Sequence, residues 1–214
     1  YYKSMAKKLN ITMKLGKEVT AQEVLALKPH SILVATGSNV ISIPLEGLDQ
    51  VQTVQAHDVL ANDMQFANKK VVVIGGGITG LETALYINRQ GTNQVSVVDM
   101  LPEWPVDMLD MRYQNEALLE VRHCNDQGVA LFYNNKVVKF ADGKLFIEST
   151  KDGEVKELPA DVIVLSVGVK PNDALWQELL ASGHPSVWKA GDATATGKIN
   201  KAVLHGSKFG YSLN

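Results

Sequence analysis

The chain carries a single cysteine in 214 residues. That lone thiol, Cys124, excludes an internal disulfide, a Cys-x-x-Cys redox pair and a metal cluster held by cysteines of this chain. The histidines are few: His57, His123, His184 and His205 show no metal-ligand spacing, and His30 beside Pro29 reads as a strand-entry residue. No metal centre is therefore expected. No apolar stretch approaches the roughly 20 residues of a membrane span, and the opening Tyr-Tyr-Lys-Ser-Met-Ala-Lys-Lys is not a signal peptide. Runs of like charge are missing too, and a net charge of −2 with a pI near 6.2 offers no basic surface to nucleic acid or anionic lipid. Repeats and low-complexity segments are absent. These absences leave the expectation of a soluble, cytoplasmic protein whose 45% apolar content suffices for an ordinary core, in one domain or two small ones.

What is present concentrates between Lys70 and Asp99. The β-branched run Val71 to Ile74 leads into Gly75-Gly76-Gly77-Ile78-Thr79-Gly80. A helical pattern follows from Ile78 to Gln90, with Leu81, Ala84, Leu85 and Ile87 on one side, and then a strand pattern from Gln94 to Asp99. This is the strand, glycine turn, helix and second strand of a dinucleotide-binding unit. In such a unit Gly75 allows the tight turn, Gly77 lets the backbone approach a pyrophosphate, and Gly80 lets helix pack closely on strand. The anion would sit on unpaired N–H groups at the helix start. Asp99 follows Gly75 by 24 residues, near the offset of about 20 at which a carboxylate accepts the hydroxyls of an adenosine ribose. A 2′-phosphate would meet that charge, and no Lys or Arg occurs from Met100 to Met111 to offset it. The residues therefore predict NAD(H) over NADP(H). Glycine-rich turns also join strands to helices in folds that bind nothing; the flanking strands and the terminal acid favour a dinucleotide, and FAD, which uses the same fingerprint, is the competing cofactor.

Elsewhere the pattern predicts a helix fragment from Tyr2 to Leu9, a short strand from Ile11 to Leu15, and a helical turn from Thr20 to Leu27 opened by a Thr cap with Glu23 three residues on. Ser31 to Ala35 reads as an apolar strand, Asn39 to Asp49 as irregular, and Ala56 to Ala61 as a short helix. Past a loop flanked by Pro102 and Pro105, a long helix is expected from Asp107 to Gln127, carrying Leu109, Leu118, Leu119 and Val121 and ended by Gly128. A strand over Val129 to Tyr133 follows. Lys136–Phe140, Lys144–Thr150 and Glu154–Leu158 then form a three-stranded meander, joined by Asp142-Gly143 and Asp152-Gly153, dipeptides that favour type I′ turns. Strands at Asp161–Val167 and Val187–Ala190 and a helix at Lys201–Tyr211 complete the reading.

The joint order of motifs is specific. A strand ends in Ala35-Thr36-Gly37; the glycine unit carries Glu82 two residues past Gly80; the meander precedes a strand running into Gly168-Val169-Lys170-Pro171-Asn172; and a last strand leads to Gly191-Asp192. This order resembles the pyridine nucleotide-disulfide oxidoreductase superfamily. The Ile-Gly-Gly-Gly-Ile-Thr-Gly-Leu-Glu and Gly-Val-Lys-Pro-Asn-Asp segments, without a redox cysteine pair, look most similar to the C-terminal part of NADH:flavin oxidoreductases such as dienoyl-CoA reductase, enoate reductase and trimethylamine dehydrogenase. The resemblance implies an α/β, Rossmann-like, three-layer fold in which an NAD domain is inserted into an FAD domain. Ala35, Thr36 and Gly37 would mark the entry and Gly168 the return. Gly191 and Asp192 match the family's second FAD motif, whose aspartate hydrogen-bonds the ribitol and phosphate side of the flavin.

Two departures accompany the matches. The family's FAD domain opens with its own glycine fingerprint, whereas residues 1–30 hold only Gly16. The chain is therefore expected to be a fragment of a two-dinucleotide-binding-domain protein: a partial FAD-type domain over 1–52, an NAD-binding domain over 53–165, and the returning FAD-type segment over 166–214. FMN, an iron–sulfur cluster and a barrel domain are the implied N-terminal companions. The second departure is Ile78, which stands where disulfide reductases often place a tyrosine that gates the nicotinamide pocket. The implied activity is hydride transfer from NADH to a flavin, with no catalytic acid, base or nucleophile from this chain. The alternative is a dinucleotide-binding or sensing module without catalysis. For Glu82 two readings stand, a contact on the nicotinamide side or a solvated acid favoured by the helix dipole.

Overall fold

Alternation and glycine punctuation set the elements, and the computed structural model describes them over residues 1–102 and 111–213. The helices are α1 (Tyr2–Lys8), α2 (Ala21–Ala26), α3 (Ala56–Ala61), α4 (Ile78–Asn88), α5 (Met111–Asp126), α6 (Ala174–Ala181) and α7 (Ile199–Ser212). The strands are β1 (Ile32–Val34), β2 (Ser38–Val40), β3 (Gln52–Gln55), β4 (Lys70–Ile74), β5 (Gln94–Val98), β6 (Ala130–Phe132), β7 (Asn135–Ala141), β8 (Lys144–Ser149), β9 (Val155–Pro159), β10 (Val162–Leu165), β11 (Val169–Pro171) and β12 (Val187–Lys189). The expected helix start at Asp107, with Pro105 and Leu109, lies outside the described residues. Two compact units emerge, one of Tyr1–Asn39 with Val169–Asn214 and one of Val40–Gly168. Among the described residues no helix is long and apolar enough to cross a membrane.

The Val40–Gly168 unit is three layers deep. Its middle layer is a five-stranded sheet in the order β3-β10-β4-β5-β6, parallel throughout. β4 is apolar along nearly its whole length because both of its faces are covered. Val71 and Val73 join Val95, Val97, Val162 and Val164 in a core closed by Leu81, Ala84, Leu85 and Ile87 of α4 and by Val121 and Cys124 of α5. Val72 and Ile74 point the other way, with Ile163 and Leu165, into a second core closed by Phe140, Leu145 and Ile147 of the meander β7-β8-β9. Burying a valine or isoleucine side chain contributes about 1.5–3 kcal/mol, so this doubly covered strand anchors the unit. Cys124 is fully buried, and burial pushes its thiol up to about 11.

The other unit is smaller inside. β1 runs parallel to β12, and its core gathers Ile32, Val34 and Leu179, with Val24, Leu175 and Trp176 packed around them. Thr20 caps α2 in a full capping box with Glu23, which satisfies two of the N–H groups a helix start leaves open. The expected strand Ile11–Leu15 does not form. Ile11, Met13 and Leu15 alternate as a strand would, yet all three are exposed, and their segment pairs with no strand among the described residues. The Asp152-Gly153 turn is a second correction: only Gly153 takes a positive φ, and Ser149 closes on Glu154 around a four-residue loop. At Asp142-Gly143 both residues take positive φ, 51° and 72°, as a type I′ turn requires. β2, β3, β11 and α6 are not expected from the pattern, and β2 takes Asn39 and Val40 out of the segment that reads as irregular.

Candidate dinucleotide site

The chain reverses its strand order beside β4. From β4 it moves outward to β5 and β6, and it returns on the other side as β10. Open parallel sheets bind ligands outside the carboxyl ends of their strands at such a reversal, and the glycine turn sits at the carboxyl end of β4. Gly75 takes φ of +108°, and a Cβ on it would lie 2.3 Å from the Ser166 carbonyl oxygen. Gly80 is equally confined, since its Cβ would lie 2.0 Å from the Gly75 oxygen. Gly76 is buried against Asp99 and Tyr133. Gly77 differs from all three: a Cβ there meets no protein atom within 4 Å, and its φ of −70° is open to any residue. Gly77 also starts α4 without a side-chain cap, so the first N–H groups of the helix are available to an anion. Ile78 and Thr79 form the first turn of α4, half-buried and exposed, and Glu82 is exposed one turn on.

Asp99 stands at the carboxyl end of β5, where its Oδ2 accepts from the Gly76 N–H at 2.6 Å and its Oδ1 from the Leu101 N–H at 2.8 Å. Two N–H donors fix the carboxylate against the glycine turn, and each oxygen keeps a lone pair for a hydroxyl donor. A cleft of about 470 Å³ opens beside it, lined by Gly75, Asp99, Asn135, Ser166 and Val167 together with apolar side chains that include Ile43 and Val137. Lys136, far from Asp99 in sequence, lines the same cleft, and its ammonium lies 2.8 Å from Glu148. Gly168 has φ of +92°, is exposed, and accepts from the Ile41 N–H at 3.1 Å. The open approach at Gly77 and the acceptor at Asp99 fit a dinucleotide.

In the smaller unit, Ala35, Gly37, Gly191 and Asp192 line a separate cleft of about 420 Å³. Thr36 is exposed and its hydroxyl donates to the Asn172 carbonyl. Asp192 accepts from the Gly197 N–H at 3.0 Å and from the Ser38 hydroxyl at 3.3 Å, and His205 Nδ1 accepts from the Gly191 N–H at 3.1 Å. Asn135, Lys136 and Ser166 are the polar cleft residues that motif reading missed; their positions follow from the sheet order and from no spacing in the sequence.

The parallel sheet, the confined glycine turn and the strand-end acid define a Rossmann-type nucleotide-binding protein. The chain belongs to the pyridine nucleotide-disulphide oxidoreductase family, whose model matches residues 2–206. It is 32% identical over 206 residues to a bilirubin reductase of Mediterraneibacter gnavus and 30% identical over 211 residues to an NADH oxidase of Thermoanaerobacter brockii. Those matches cover 96% and 95% of this chain and 31% of each relative. Among solved structures, a 2-naphthoyl-CoA reductase complexed with 2-naphthoyl-CoA is similar with a TM-score of 0.82 at 27% identity, over 98% of this chain and 31% of that one. A thioredoxin reductase of T. acidophilum shares the fold, with a TM-score of 0.66 at 20% identity over 86% of this chain and 64% of that one. The chain thus spans under a third of the first two relatives, all of the named proteins being oxidoreductases.

Proposed function

We propose that this chain is the NAD(H)-binding part of a flavin-dependent oxidoreductase that passes a hydride from NADH to a flavin. The observation that carries the reading is Gly77, the one fingerprint glycine whose missing side chain spares no protein atom. In this reading the pyrophosphate lies along Gly75 to Gly80 on the α4 N–H groups, and Asp99 accepts the ribose hydroxyls. Gly191 and Asp192, with Ala35, Thr36 and Gly37, hold the flavin side, and Gly168, Ile78, Thr79 and Glu82 border the dinucleotide. The cofactors supply the redox chemistry when bound, and the chain's residues position the rings and hold charge. The family and the reductase and oxidase relatives support this.

The test is discrimination between dinucleotides. Asp99 opposes a 2′-phosphate, and Lys136, the base that shares its cleft, is already paired with Glu148. Titration calorimetry should find NADH bound at least about tenfold more tightly than NADPH, roughly 1.4 kcal/mol, and Asp99→Ser should narrow that gap. Equal affinities for the unaltered chain would remove Asp99 from its role.

A further inference from the structure

A histidine stands at each end of β12, and both use the same ring nitrogen in the same way. At the start of the strand the Ser186 N–H donates to His184 Nδ1 at 3.2 Å, and His184 Nε2 lies 3.0 Å from the Pro29 carbonyl oxygen. Just past its end the Gly191 N–H donates to His205 Nδ1 of α7 at 3.1 Å. A backbone N–H can only donate and a carbonyl can only accept, so the two contacts of His184 require a bare Nδ1 and a proton on Nε2. The Gly191 N–H requires a bare Nδ1 on His205 for the same reason. Both rings are half-buried.

A proton added to either Nδ1 sets donor against donor, so each bond is made by the neutral ring alone. Histidine is the side chain whose ordinary charge change falls between about pH 5 and 8. A unit held by neutral rings binds fewer protons folded than unfolded, so its stability is present at high pH and is lost as pH falls. The structure that these bonds hold is small: β1 pairs with β12 over three residues, above a core of Ile32, Val34 and Leu179. Gly191 also opens the turn of Asp192, the flavin side in the function proposed above, on which the consequence for a cofactor rests. The charged and titratable groups of the elements packed here are Lys28 and His30 beside Pro29, Glu178 of α6 and Lys189 of β12, which Asp173 holds at 3.0 Å. Asp192 on the turn and Lys201 and Lys208 on α7 are those beside His205. We infer that His184 and His205 form a pH-sensitive clasp on β12, which opens in acid and frees the Gly191-Asp192 turn.

The test follows melting through the fluorescence of Trp176 and Trp188, both in the unit that holds the clasp, using the whole chain with Trp104→Phe. Between about pH 8 and about pH 5.5 the melting temperature should fall by about 4–8 °C for each bond lost. His205→Asn offers a carboxamide oxygen near the place of Nδ1 and accepts throughout that range, so it should keep the stability at high pH and show a smaller fall in acid. If that variant does not fold, nuclear magnetic resonance of the unaltered chain gives the same answer. The Ser186 and Gly191 amide signals should move together with the ring signals of His184 and His205, and above neutrality both rings should carry their proton on Nε2. A level melting temperature, a fall undiminished in folded His205→Asn, or a ring protonated on Nδ1 above neutrality overturns the clasp. NADH titrated above neutrality is a separate reading: failure to bind overturns the proposed function, and the acid fall then still decides the clasp.

Discussion

The three fingerprint glycines look equivalent in sequence and are not equivalent in space. Gly75 and Gly80 are held by neighbouring backbone oxygens at 2.3 and 2.0 Å from where a Cβ would stand, so their lack of a side chain serves the fold. At Gly77 nothing of the protein occupies that space. Gly77→Val should therefore fold, with a melting temperature within a few degrees of the parent, and should lose NADH binding because its methyls fill the path of the pyrophosphate. Gly80→Val forces side-chain atoms against the Gly75 carbonyl, and overpacking of that kind costs about 1–3 kcal/mol or more, with a drop of roughly 2–4 °C for each kcal/mol in a chain of this size. Calorimetry for binding and differential scanning for stability separate the two outcomes. A folded Gly77→Val that binds NADH with unchanged affinity would place the dinucleotide elsewhere.

Among the elements, the meander shows the clearest division between its two faces. Leu145 is fully buried in the core beneath the parallel sheet, whereas Val155 on the neighbouring strand β9 is largely exposed. Leu145→Ala should cost about 2–5 kcal/mol and Val155→Ala within about 0.5 kcal/mol, both read from urea unfolding followed by circular dichroism; equal losses would mean that the meander does not close the sheet. This strand pattern was legible in the sequence, as was the strand-turn-helix-strand from Lys70 to Asp99, because several periodic signals coincide there. β3 was not: Gln-Thr-Val-Gln holds one apolar residue, and its place comes from pairing with β10 at the sheet edge. In α6 the spacing of Leu175 and Leu179 is helical, but the element follows directly on Pro171-Asn172-Asp173, which reads as a turn. Asp152-Gly153 misled because a dipeptide does not state loop length; the closing pair Ser149 and Glu154 does. Asn135 and Lys136 escaped notice because the site receives them through the sheet order, 36 and 37 residues beyond Asp99 in the sequence.

For the whole molecule, the uneven cores decide how the chain loses its structure. The Val40–Gly168 unit has two hydrophobic clusters, one on each side of its parallel sheet, while the other unit relies on Ile32, Val34 and Leu179 and their partly buried neighbours. In the smaller unit α7 buries no residue fully, and Ile199, Val203 and Leu204 stand exposed on it. Chains with unequal units depart from a single two-state transition. Heating should therefore melt the smaller unit first, and brief proteolysis should cut within residues 1–39 and 169–214 before it cuts within strands β3 to β6 or β7 to β10 of the larger one. The cleft beside Asp99 is lined entirely by residues of the larger unit, so if it takes the dinucleotide as proposed, NADH at about 100 times its dissociation constant should stabilise the upper transition by about 2.7 kcal/mol and leave the lower one in place. Gly191 and Asp192, by contrast, belong to the unit with the smaller core, and the isolated chain should purify colourless and lose added FAD on gel filtration. Scanning calorimetry with each ligand in turn reads both expectations at once. A lower transition that rises with NADH while the upper one stays fixed would move the dinucleotide to the smaller unit and remove the roles proposed for Gly77 and Asp99.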